Sequence, residues 1–134
     1  MRKVLFDTNI ILDIALEREP FYEEAFKLID QGEISAFITA TTITDIYYIS
    51  KKVKGHITSI EFITNLVGFV NILGIDKEII MNAISKGMRD FEDSIQLTAS
   101  EFNELEYIIT RNKSDFKSST IIVFSAEEMI ADIK

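Results

Sequence analysis

Four aspartates are spaced so that a chain of alternating strands and helices would bring them to one edge. Asp7 closes an apolar run, Asp45 lies about one turn into the helix after the next run, Asp93 opens a later helix, and Asp115 follows another apolar run. At about 5 Å and an effective dielectric of ~20, each unneutralised pair of carboxylates costs about 3 kcal/mol. Either some of them hold protons, or a hard divalent cation sits among them. Oxygen-only ligands suit Mg²⁺ or Mn²⁺, one or two per site, because these ions keep several waters and leave room for a substrate phosphate. Such ions can activate water against a phosphodiester and stabilise the leaving oxygen, so no Ser, Cys or His nucleophile is required. With no Cys and a single His, the sequence excludes disulfide frameworks, thiolate metal sites, cysteine nucleophiles and histidine-rich zinc sites.

The elements that would position these acids are short. Lys3–Phe6 reads as a strand ending at Asp7, with Thr8 and Asn9 able to cap a helix bearing Ile10, Ile11, Ile14 and Ala15. Pro20 separates it from a second helix with Tyr22, Ala25, Phe26 and Ile29 at helical spacing, ending at Gly32. Ser35–Thr39 reads as a second strand, followed by a helix to Val53 and another over Thr58–Phe69 after Gly55. A third strand is expected within Val70–Ile75, capped by Asp76. Two helices meet at Asp90–Asp93, Tyr107–Thr110 is a fourth strand, Arg111–Ser119 a polar loop, and Ile121–Phe124 a fifth strand. Ser125 and Glu128 have the spacing of a capping box that starts a final helix.

This alternation predicts an α/β fold, with a central parallel sheet of four to five short strands and helices on both faces. Chemistry is then expected beyond the carboxyl ends of the strands. At 134 residues, 47% of them hydrophobic and 27% charged, the chain is expected to be one domain over residues 1–134. The longest uncharged stretch, Phe62–Ile75, is too short and too often interrupted to span a bilayer, and Met1–Asp7 lacks a secretory apolar core. No membrane association and a cytoplasmic location are therefore expected. A net charge of −8 argues against nucleic-acid binding driven by overall electrostatics. Two divalent cations would nonetheless offset about the charge of the four aspartates, which leaves a local RNA site open.

The motifs together resemble the PIN-domain ribonucleases, and in particular the small VapC-type toxins. Phe6-Asp7-Thr8-Asn9-Ile10-Ile11-Leu12-Asp13 is similar to the family's opening strand and first metal-binding Asp, with Asn9 helping to hold the turn. Thr44-Asp45-Ile46 stands where the family usually places a Glu. Asp90-Phe91-Glu92-Asp93-Ser94-Ile95-Gln96 resembles the segment carrying its third acid, and Thr110-Arg111-Asn112-Lys113-Ser114-Asp115-Phe116 its loop after strand four. The resemblance implies a PIN-like fold and a Mg²⁺/Mn²⁺-dependent endoribonuclease. Asp7, Asp45, Asp93 and Asp115 would be its catalytic metal ligands, with Asn112 adding an amide and Thr8, Asn9 and Thr110 supporting them. It further implies an antitoxin partner whose segment fills or crosses the cleft, and a homodimer.

Other residues have plainer readings. Asp90 and Glu92 read as an ordinary acidic helix start, and Asp13 as a surface residue or a support for the ligands. Lys51, Lys52 and Lys54 form a local basic segment with no acid between Ile46 and Ile60; with Arg111, Lys113 and Lys117 they are candidates for RNA-backbone contact. His56 reads as structural or exposed, and Tyr47 as core more than as a base-stacking residue. Two rival functions remain. Asp45 in place of Glu and Asn112 in place of Asp favour a catalytically degenerate module that binds nucleic acid or protein. A phosphoacceptor signalling domain would want paired acids after strand one, where this chain has Thr8-Asn9.

Overall fold

Val4, Leu5 and Phe6 are each 0% exposed, the burial of a strand covered on both faces. In the computed structural model, which describes residues 1–117 and 119–133, they belong to β1 (Arg2–Phe6). β1 is the middle of a five-stranded sheet with β2 (Ile34–Thr39), β3 (Asn71–Leu73), β4 (Tyr107–Ile109) and β5 (Ile122–Phe124), in the order β3-β2-β1-β4-β5. Every pairing is parallel; Leu5 faces Phe37 on one side and Ile108 on the other. Strand order therefore reverses at β1, and a crevice is expected between the carboxyl ends of β1 and β4.

Alternation along β1 divides the core. Val4 and Phe6 pack with α1 (Thr8–Ala15), α2 (Tyr22–Asp30), α3 (Ala40–Leu66) and α6 (Ala126–Ile133), through Ile10, Leu28, Ile46 and Met129. Leu5 packs on the opposite face with α4 (Lys77–Ser85) and α5 (Phe91–Phe102), through Ile79, Leu97 and Ala99. The capping box forms: Ser125 N donates to Glu128 Oε1 at 2.9 Å and Glu128 N to Ser125 Oγ at 3.1 Å. Asp76 caps α4, its Oδ1 accepting from Ile79 N at 3.0 Å. No helix among the described residues is long and apolar enough to cross a membrane.

The two helices expected on either side of Gly55 form, as the two arms of α3, and the helical backbone breaks at that residue, whose φ of +83° and ψ of 172° suit glycine alone. Ser59 Oγ bonds Gly55 O at 2.8 Å and Ser50 Oγ at 2.7 Å, and Tyr47 Oη lies 2.8 Å from His56 Nδ1, so hydroxyls span the bend. The polar loop after β4 contains a 3₁₀ turn, Lys113–Phe116, which drives Phe116 into the core at 1% exposure. Ser118, part of that expected loop, lies outside the described residues.

Asp13, in contrast, is no surface residue. It is 0% exposed, pairing with Arg111 Nε at 2.9 Å and Arg18 Nη1 at 3.5 Å. Two guanidinium groups from different loops thus supply the counter-charge that burial of a carboxylate demands.

Candidate active site

Asp7 occupies the N-cap position of α1, yet its carboxylate makes no capping bond. Its Oδ2 instead accepts from Thr110 Oγ1 at 2.8 Å, across the gap between β1 and β4. Asp7 N also bonds Ile109 O at 2.9 Å, so β1 and β4 are tied together at the residue where the acid emerges. Thr110 Oγ1 in turn accepts from Asn112 N at 3.0 Å, fixing the start of the loop that carries Asp115.

The acids expected together do share one cleft of about 250 Å³, lined by Asp7, Asp45, Asp93 and Asp115 with Thr8, Asn9, Asp90 and Glu92. β1 delivers Asp7, the first turns of α3 deliver Asp45, the first turn of α5 delivers Glu92 and Asp93, and the 3₁₀ turn delivers Asp115. Beneath them is a buried floor of hydroxyls. Thr8 Oγ1 lies 2.9 Å from Thr42 Oγ1 and donates to Glu92 Oε1 at 2.9 Å, while Thr39 and Thr42 hydroxyls stand 3.3 Å apart. Asp90 keeps its plain role as the cap of α5, accepting from Asp93 N at 2.9 Å.

Glu92 corrects the sequence reading. It is half-buried in the cleft and hydrogen-bonded to Asp45 as well as Thr8, rather than an ordinary solvated helix start. Adjacent acids in the first turn of α5 both reach the cleft mouth. Gln96, one turn further on and 0% exposed, also escaped the sequence reading. Its amide nitrogen is 3.5 Å from Glu92 Oε1, and its Oε1 has no protein partner. The spacing Glu92–Gln96, four residues along one helix, was the available signal.

The remaining candidates lie elsewhere. Asn112 is exposed and lines a neighbouring cavity of about 430 Å³ with Phe21, Glu24, Arg111 and Glu127, so the structure does not bring its amide among the carboxylates. Arg111 is held by Asp13 and stacks 4.2 Å over the Phe21 ring; Lys113 pairs with Glu128 at 2.9 Å. Lys54 pairs with Glu17 at 3.0 Å, Lys51 lies 5.6 Å over the Tyr47 ring, and Lys52 is exposed.

Electrostatics in the cleft follow from crowding. Burial, and then the hydrogen bond to Asp45, push the Glu92 carboxyl up to about 8. Burial, and then the charges of Asp7, Asp90 and Asp115, push Asp93 up to about 7. Asp7 is raised by burial, against which the hydrogen bonds from Thr110 and Gln96 act. Burial and crowding thus favour the protonated forms of Glu92 and Asp93, and a bound cation could displace those protons.

The donor set lining the cleft fits a hard divalent cation: six carboxylates with Thr8 and Asn9, and no soft ligand among them. Among the described residues no three acidic or histidine side chains stand close enough to ligate one ion directly. That spacing agrees with an ion such as Mg²⁺, which keeps much of its water and takes one or two carboxylates.

A parallel sheet whose strand order reverses at β1 defines a class of α/β proteins that bind ligands beyond the carboxyl ends of the strands, where these acids gather. Within that class the chain belongs to the PIN domain family, which its residues 3–114 match. Its fold is similar to that of a toxin–antitoxin complex from Klebsiella pneumoniae, at 24% identity over 92% of this chain and 97% of that one, with a TM-score of 0.71. VapBC-1 from nontypeable Haemophilus influenzae matches at 16% identity over 92% and 98%, with a TM-score of 0.72. VapC20 of Mycobacterium tuberculosis, a sarcin-ricin loop cleaving toxin, matches at 10% identity over 78% and 86%, with a TM-score of 0.67. No curated protein matches the sequence.

Proposed function

We propose that the protein is a Mg²⁺/Mn²⁺-dependent endoribonuclease acting in the cytoplasm as the toxin of a toxin–antitoxin pair. The observation that carries this reading is the cleft itself: Asp7, Asp45, Glu92, Asp93 and Asp115 converge on it from separate parts of the chain. A bound divalent ion would supply Lewis-acid chemistry, lowering the pKa of a water and offsetting charge on the phosphodiester. Asp7, anchored through Thr110, and Asp93 are the ligands best held by the scaffold; Asp45 and Glu92 face the same space. Asp115, an exposed acid, stands at the rim where it can orient water or substrate. Thr8 holds Glu92 in place, and Gln96 presents an amide to Asp7 and Glu92.

The toxin assignment draws on the family and on neighbours that were solved as toxin–antitoxin complexes. Val53, Ile57 and Ile84 are more than half exposed, which supports a protein partner, either an antitoxin or a second copy in a homodimer. Mn²⁺-stimulated cleavage of unpaired RNA by the wild type, lost in Asp7→Asn, tests the reading; equal activity in both proteins overturns it. The second reading, a degenerate binding module, is favoured by the spacing of the acids and by Asn112 lying outside the cleft. Calorimetry separates the two, because a degenerate site binds Mn²⁺ very weakly.

A further inference from the structure

A polyanion entering an acidic cleft on a protein of net charge −8 needs cations next to the reacting phosphate. Most of the basic side chains suggested by the sequence do not meet that need. Arg111, Lys113 and Lys54 are committed to Asp13, Glu128 and Glu17. Lys51 and Lys52 lie six and seven residues beyond Asp45 on α3, which is about 9–10 Å along the helix.

Two other cations stand at the cleft. A cavity of about 420 Å³ shares Asp90, Asp93 and Asp115 with the carboxylate cleft and is lined further by Arg89 and Lys117. Each reaches it by a defined turn. Gly87, at a φ of +62°, ends α4 and turns the chain so that Arg89 arrives just before the Asp90 cap. Lys117 follows the 3₁₀ turn, whose buried Phe116 anchors it beside Asp115. Among the described residues neither Arg89 nor Lys117 forms an ion pair, although nearby Lys86 pairs with Glu101 at 2.6 Å.

We propose that Arg89 and Lys117 form a phosphate-binding subsite beside the carboxylate cleft, which takes the backbone phosphate of single-stranded RNA adjoining the one to be cleaved. This rests on the ribonuclease reading. The guanidinium offers a bidentate fork to two phosphate oxygens and the ammonium a mobile point charge. The subsite gives the bound strand a direction: it leaves the acids past the start of α5. On the opposite flank Arg111 is already neutralised, and Glu24 and Glu127 repel phosphate.

The test is RNA binding followed by fluorescence anisotropy over a range of KCl concentrations, with Ca²⁺ in place of Mn²⁺. The proteins are wild type, Arg89→Ala/Lys117→Ala and Lys51→Ala/Lys52→Ala. Each phosphate that a variant no longer neutralises lowers the slope of log affinity against log salt by about 0.7 for a single strand. The Arg89/Lys117 variant is expected to fall by about that amount, and the α3 lysine variant not at all. Arg89→Lys, which keeps the charge, should retain the slope and thereby excludes a folding defect. An unchanged slope in the Arg89/Lys117 variant, or an equal fall in the α3 variant, overturns the subsite. Mn²⁺-dependent cleavage of the same RNA by the wild type is scored separately. Cleavage with an unchanged slope removes the subsite alone, binding that depends on Arg89 and Lys117 without cleavage removes the ribonuclease reading alone, and neither binding nor cleavage removes both.

Discussion

Asp13 and Asp7 lie on the same short stretch of chain and are both buried, yet the protein treats them in opposite ways. Asp13 is enclosed by the guanidinium groups of Arg111 and Arg18. Asp7 receives a hydroxyl and an amide and faces other carboxylates across open space. A carboxylate neutralised within the fold holds loops together. One left without a counter-charge marks where the charge must come from outside. The contrast also explains why Arg111 is not free to meet RNA although it adjoins the cleft.

The largest effect that could break this comparison is on activity. Asp7→Asn should reduce Mn²⁺-dependent RNA cleavage by about a hundredfold or more, while the thermal midpoint stays level or rises because a source of repulsion is gone. A drop in midpoint without loss of activity would make Asp7 structural, like Asp13. Next in size, Arg111→Met should cost about 2–3 kcal/mol in urea unfolding, since Arg18 at the longer distance compensates Asp13 only in part. Adding Asp13→Asn to it should recover part of that loss.

The pH dependence sharpens the contrast further. Glu92, raised from 4.5 to about 8, and Asp93, raised from 3.8 to about 7, keep protons in the folded protein that the unfolded chain has released. Their stabilising contribution is complete below about pH 4 and is lost as pH rises through 7 and 8. The metal-free midpoint should therefore fall by a few °C between pH 5 and 8, and the fall should be smaller in Glu92→Gln. Mn²⁺ should bind more tightly as pH rises over the same range, releasing protons that calorimetry in buffers of different ionisation enthalpy can count. The smallest effect belongs to Asp90→Ala, which removes the cap of α5 at a cost of about 1 kcal/mol with the slope of stability against pH largely retained.

What the sequence disclosed follows from the range of the interactions involved. The strands, the caps at Asp76 and Ser125, and the meeting of Asp7, Asp45, Asp93 and Asp115 were all legible, because periodicity is local and a parallel sheet gathers its carboxyl ends. Asp13 was not, since its partners Arg18 and Arg111 come from loops whose approach depends on the packing of α1 and β4. Glu92 and Gln96 were missed for a related reason: α5 is buried nearly all round, so its polar residues carry no amphipathic signature. Thr39 and Thr42 carry no spacing signal of their own, and only the folded chain sets their hydroxyls beneath the acids.

Run straight, the 27 residues of α3 would measure about 40 Å, too long for one side of so small a sheet. The bend at Gly55 lets one continuous segment present Asp45 to the cleft and still return Leu66 to the core. A methyl group at position 55 would meet no atom within 4 Å, so crowding is not what reserves the site for glycine. The reserve is torsional: any other residue would resist the positive φ and favour a straighter rod, pulling Leu66 away from its neighbours. The protein's longest element owes its shape to a missing β-carbon, and engineering that lengthens or straightens it would alter the outline of the domain before it touched a single acid.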